Sequence, residues 1–129
     1  MGTESLIAVA DTGPLIHLAE IDSLELLTQF DALHIPYAVL SETTGKAAGL
    51  PDAISSLPNL QKHAISQQSV MNYVRSMQLD SLHLGEQHSL YLCHRIGIST
   101  LLTDDLAVRR IAKKLGLIPV GTLVHEGLS

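Results

Sequence analysis

Short, strand-like runs alternate along the chain with longer segments of helical period. The first run, Leu6-Ile-Ala-Val-Ala10, ends at Asp11-Thr12-Gly13-Pro14. A run this short with no polar face reads as a strand buried on both sides. Asp11 ahead of Pro14 is a helix-start signal, since aspartate caps free N–H groups and proline suits a first turn. Leu24, Leu27 and Phe30 suit a short amphipathic helix over 22–30. Leu33-His34-Ile35-Pro36 reads as a second strand stopped by proline, and Tyr37 to Thr44 as a brief helix ended by Gly45. Gly45 to Asp52 has two glycines, a proline and little periodicity, and reads as a mobile loop. An edge strand over 62–66 and a helix over 70–77 follow. A helix over 85–96 carries Leu90, Cys93 and Ile96 at inward spacing. Ser99-Thr-Leu-Leu-Thr103 is another strand. Leu106 to Leu115 is a helix with an apolar stripe of Val108, Ile111, Ala112 and Leu115, stopped by Gly116, and Leu117-Ile-Pro-Val120 is a last strand.

Strands alternating with helices predict an α/β fold, a parallel sheet covered on both faces. In that architecture the functional crevice lies at the carboxyl ends of the strands, beside helix N-termini. With 129 residues and no linker, repeat or low-complexity stretch, the chain is expected to be one domain over 1–129. A composition of 46% hydrophobic and 16% charged residues excludes a disordered chain. No apolar run approaches the ~18 residues of a membrane span. The first apolar run meets an aspartate too soon for a signal peptide. A single cysteine, Cys93, excludes an internal disulfide and suits a reducing cytoplasm, the expected location.

The net charge of −5, from 13 acids and 8 bases, is the wrong sign for a nucleic-acid binder if spread evenly. The acids are not spread evenly. Asp11 follows the first strand, Asp104 and Asp105 follow the strand ending at Thr103, and Glu86 stands in the first turn of its helix. Capping alone explains Asp11 and one of the Asp104–Asp105 pair. It does not explain two adjacent acids. Glu86 shares its helix face with apolar Leu90 and Cys93, and an acid on a buried stripe needs a partner. Glu42 lies near the end of its helix, where the dipole disfavours an anion. Two strand ends and one helix start therefore aim four carboxylates at one crevice, with Glu42 in reach as a fifth. Carboxylates so crowded repel unless protonated or held by a cation. All-oxygen ligation suits Mg²⁺ or Mn²⁺ rather than zinc. Acid clusters of this kind serve phosphodiester cleavage, the metal lowering the pKa of a bound water.

Other constellations carry less. Asp11-Thr12-Gly13 is also the aspartic-protease triplet, but those enzymes are all-β, and here it joins a buried strand to a helix. The seven histidines lack metal-ligand spacing and read as surface or loop residues rather than a zinc site. Cys93 reads as an inert core thiol. Arg109, Arg110, Lys113 and Lys114 make the one basic cluster, on the helix after Asp104-Asp105. The lysines suit the helix C-terminus. Arg109 and Arg110 stand one turn from the acids, where guanidinium forks suit phosphate oxygens. No glycine-rich phosphate loop occurs.

These segments in this order resemble the PIN-domain family, especially the ribonuclease toxins of VapBC-type toxin–antitoxin pairs. The resemblance rests on Val9-Ala-Asp11-Thr-Gly-Pro-Leu-Ile16, Ile35-Pro-Tyr-Ala-Val-Leu-Ser-Glu42, Leu84-Gly-Glu86, Leu101-Leu-Thr-Asp-Asp-Leu-Ala-Val-Arg-Arg-Ile-Ala-Lys-Lys-Leu-Gly116 and Val120-Gly-Thr122, and spans about residues 6–122. It implies a three-layer α/β/α sandwich around a parallel sheet and a metal-dependent endonuclease acting on single-stranded RNA. Asp11, Glu42 and Glu86 match the first three acidic positions; Asp104 or Asp105 supplies the fourth. Thr12 and Thr103 match flanking hydroxyls. The metal, Mg²⁺ or Mn²⁺, would be held by Asp11, Glu86 and Asp104 or Asp105, with Glu42 ligating it or orienting the attacking water. The implied partners are RNA, a cognate antitoxin protein and a second copy in a homodimer. Two departures are expected to matter: glutamate at 86 where many members have aspartate, and a chain that stops where relatives continue through another helix. The competing class is a non-catalytic PIN-like module that binds RNA or protein, separated from catalysis by whether divalent metal binds at all.

Overall fold

The structure, a computed structural model, describes residues 5–122. Strand β1 (Ile7–Ala10) runs into α1 (Thr12–Glu20), and a 3₁₀ segment (Leu24–Gln29) leads to β2 (Ala32–Pro36). Two short helices, α2 (Tyr37–Glu42) and α3 (Leu50–Ser55), precede β3 (Leu60–His63). Then come α4 (Gln67–Met77), α5 (Leu84–Ile96), β4 (Thr100–Leu102), α6 (Leu106–Lys114) and β5 (Ile118–Val120).

The five strands form one sheet in the order β3-β2-β1-β4-β5, and every neighbouring pair is parallel. Alternation along the strands builds two cores. Val9 and Leu101 face Val70, Leu90, Leu92 and Val108 of α4, α5 and α6. Ala8, Ala10, Leu33 and Leu102 face Leu15, Val39 and Ile54 of α1, α2 and α3. This is the expected α/β/α sandwich. Each fully buried leucine or valine contributes about 1.5–3 kcal/mol of transfer free energy. β1 lies at the centre of the sheet, where Ala8, Val9 and Ala10 have no exposed surface. That position explains why it reads as apolar throughout. Helix α5 packs on the sheet, α2 and α4 at once, so residues all around it are buried. Burial pushes the Cys93 thiol up to about 12, which keeps it protonated and inert.

Three local expectations are corrected. Residues 22–30 do not form an α-helix. Their apolar residues recur every three positions, the 3₁₀ period, and Leu24–Gln29 takes that form. Gly45 to Asp52 is not a loop throughout: Gly49, at φ 70°, turns the chain into α3, with Pro51 in its first turn. The edge strand covers Leu60–His63 rather than 62–66, because its pairing with β2 runs from Leu33↔Leu60 to Pro36↔His63. No helix among the described residues is long and apolar enough to cross a membrane.

Candidate active site

Chain order on the sheet reverses at β1. From there β2 and β3 extend to one side and β4 and β5 to the other, so the crevice of a doubly wound sheet opens between β1 and β4. The Asp11 backbone N–H donates to the Leu102 carbonyl at 2.9 Å, joining the two strand ends there. Asp11 is thereby delivered to the floor of the crevice, 4% exposed. Its Oδ1 accepts from the Thr12 N–H at 2.8 Å and its Oδ2 from the buried Thr103 hydroxyl at 3.3 Å.

A second carboxylate comes from α2. Glu42 Oε1 accepts from the Thr12 hydroxyl at 2.7 Å and Oε2 from the Gly85 N–H at 2.9 Å. Glycine at 85 lets the carboxylate come this close to α5, because a Cβ there would stand 2.7 Å from Glu42 Cδ and push it aside. One residue on, Glu86 Oε1 accepts from the His83 N–H at 2.9 Å, and His83 Nδ1 lies 3.7 Å from the same oxygen. Asp105 caps α6, its Oδ1 accepting from the Val108 N–H at 3.0 Å. Asp104 turns to Thr122, with Oδ1 accepting from its N–H at 2.7 Å and Oδ2 from its hydroxyl at 2.5 Å.

All five acids, with Thr12, Thr103, Gly13 and His83, line one cleft of about 180 Å³. Their crowding shows at Asp11, whose pKa rises from 3.8 to about 6. Burial is the largest cause; the Glu86 and Glu42 charges add to it, while the bonds from Thr12 and Thr103 oppose it. Among the described residues, no group of three or more His, Cys, Asp or Glu side chains stands ready to hold a metal ion. The donor set nonetheless fits a hard divalent cation in kind, being carboxylate and hydroxyl oxygen around a buried acid destabilised by like charge.

The structure thus brings Asp11, Glu42, Glu86, Asp104, Asp105, Thr12 and Thr103 together. It separates the arginines. Arg109 is half-buried and donates from Nη1 to the Thr103 carbonyl at 3.1 Å, bracing the strand end, while Arg110 is exposed. His83 and Thr122 had no role assigned from sequence. The signal for His83 is its place three residues before Glu86, at the N-cap of α5. For Thr122 it is a position inside the Val120-Gly-Thr122 segment. His88 is corrected from surface to core: it is buried, and its Nε2 lies 3.2 Å from Gln67 Oε1.

An all-parallel α/β sandwich with an acid-lined cleft at its switch point defines the class. A family model described as a PIN domain matches residues 7–124, and the chain belongs to that family. PIN domains are generally nucleases and usually use divalent metals, which supports a hydrolase of nuclease type. No curated protein matches the chain.

Proposed function

We propose that this protein is a Mg²⁺- or Mn²⁺-dependent endoribonuclease that cleaves single-stranded RNA, acting as the toxin of a toxin–antitoxin pair. The observation that carries the catalytic part is Asp11, buried at the switch point with Glu42 and Glu86 charged beside it. Asp11, Glu86 and Asp105 would hold the metal. Asp105 is preferred over Asp104 because Asp104 gives both oxygens to Thr122, whereas Asp105 uses only Oδ1 in capping among the described residues. The cation supplies a water of lowered pKa and neutralises charge growing on the phosphate.

The chain's own residues set the geometry. Thr12 and Thr103 hold the two oxygens of Asp11 in place. Glu42, fixed from both sides by Thr12 and Gly85, orients the attacking water. Arg109 braces the Thr103 end of β4, and exposed Arg110 offers its fork to the RNA backbone. The toxin role and its partners, a cognate antitoxin that covers the cleft and a second copy of the chain, are supported by the family resemblance of the motifs.

Cleavage of end-labelled single-stranded RNA in Mn²⁺ tests this reading. The wild type is expected to cut internally, and Asp11→Ala to lose cleavage with an unchanged circular dichroism spectrum. Full cleavage by the variant overturns it.

A further inference from the structure

Away from the acidic cleft, two histidines 29 residues apart meet on the sheet. The register pairs His34 of β2 with Gln61 and Pro36 with His63 of β3. Side chains two apart on a strand share a face, so His63 is the diagonal neighbour of His34. The rings lie 5.0 Å apart between centroids, tilted by 38°, with His34 Nδ1 and His63 Nε2 at 2.7 Å. Both side chains are half-buried. His63 also lines a polar cleft of about 230 Å³ with Ser66, Ser69, Tyr91 and Arg95, and shares none of its lining with the acid cleft.

We propose that His34 and His63 form a second metal site, a two-imidazole chelate for a cation of the Zn²⁺, Ni²⁺ or Cu²⁺ class that ties edge strand β3 to β2. Neutral imidazole is the commonest ligand for these ions. Burial lowers the pKa of both rings, and at His34 the His63 charge adds to the effect, which favours the neutral form a metal needs; the proton between the two nitrogens passes to the far nitrogen of its own ring when an ion binds. The geometry is close to that of a chelate. Two Zn–N bonds of about 2.0–2.1 Å at angles of roughly 90–110° put their nitrogens about 2.9–3.4 Å apart. The observed 2.7 Å is the separation of one ring nitrogen hydrogen-bonded to the other, so taking up an ion requires the rings to part and both lone pairs to turn toward it. Two protein ligands leave the other positions to water, one protein ligand fewer than the three of an open zinc site. The acid cleft differs in kind, offering oxygen alone, so the two sites sort cations by ligand type. Arg95 is the charged group of α5 beside His63 and lowers the affinity for any cation there. Lys62 is turned to the other face of β3, over the Tyr37 ring.

Zn²⁺ titrated calorimetrically into the full chain, its His34→Gln and His63→Gln variants and Asp11→Asn tests the proposal. A Zn²⁺ site is expected in the wild type and in Asp11→Asn, and its loss in both histidine variants. Zn²⁺ binding that survives both histidine changes, or none in the wild type, overturns it. If either histidine variant fails to fold, nitrogen NMR of the histidine rings decides on the wild type alone. Zn²⁺ should shift His34 Nδ1 and His63 Nε2; unmoved resonances overturn the assignment.

Discussion

Burying Asp11 beside two other carboxylates costs free energy that its two hydrogen bonds only partly offset. A carboxyl whose pKa rises on folding binds its proton more tightly in the folded chain. Its effect on stability is therefore neutral while both states are protonated, becomes unfavourable once pH rises above the unfolded value, and is complete above the folded one. With a rise from 3.8 to about 6, stability is lost as pH climbs through that window. The total is roughly 3 kcal/mol, at about 1.4 kcal/mol per pKa unit. Asn retains the capping oxygen but cannot ionise. Asp11→Asn is thus expected to unfold at higher urea than the wild type at neutral pH, with the gain shrinking towards pH 4. Urea transitions of both proteins at the two pH values check this, and a variant no more stable at neutral pH contradicts it. A residue that destabilises its own fold is best explained by function.

At the scale of elements, the site depends on how closely α2 meets α5. Glu42 ends α2, and its carboxylate lies directly over Gly85. Gly85→Ala should cost about 1–3 kcal/mol, as overpacking does, and should also cut cleavage by displacing Glu42. Gly13→Ala provides the contrast. It lies inside α1, a Cβ there meets nothing within 4 Å, and the change should stabilise by about 0.5–1 kcal/mol. Thermal unfolding of the two variants should move in opposite directions; shifts of one sign would refute the argument. Nothing in the sequence announces that Gly85 contact, since it depends on a residue 43 positions away. Other elements were legible because local and tertiary demands agree. β1 is apolar throughout and β4 carries buried Leu101 and Leu102, and α6 has a cap, a stripe and a glycine stop. The ends of edge strand β3 are not legible because Leu60-Gln-Lys-His carries no buried face to reveal them. α3 is not legible because six residues give too little periodicity to outweigh Gly45, Gly49 and Pro51.

For the whole molecule, the sequence shows which acids exist but topology decides which of them meet. Asp11 and Asp104 are distant in the chain and become neighbours because β1 and β4 pair at the point where strand order reverses. Expecting a parallel sheet was enough to anticipate that, since strand ends in such a sheet share one edge. It was not enough to separate Asp104 from Asp105, whose difference lies in Thr122 and the α6 cap. The consequence is global. Five of the 13 acids line one cleft, so much of the net charge of −5 concentrates there. An ion that binds the folded cleft and not the open chain must then raise the stability of the entire fold. Mn²⁺ at about a hundred times its dissociation constant would add roughly 2.7 kcal/mol. In a domain of this size that is a rise of roughly 5–15 °C in Tm. The rise should shrink as pH falls through 6, because a proton on Asp11 competes with the ion, and should largely vanish in Asp11→Asn. Scanning calorimetry with and without Mn²⁺ at two pH values decides the matter. A shift that survives both acid and the Asp11 change would place the ion outside the cleft. A shift lost under both would tie the protein's stability, its concentrated charge and its chemistry to the same buried carboxylate.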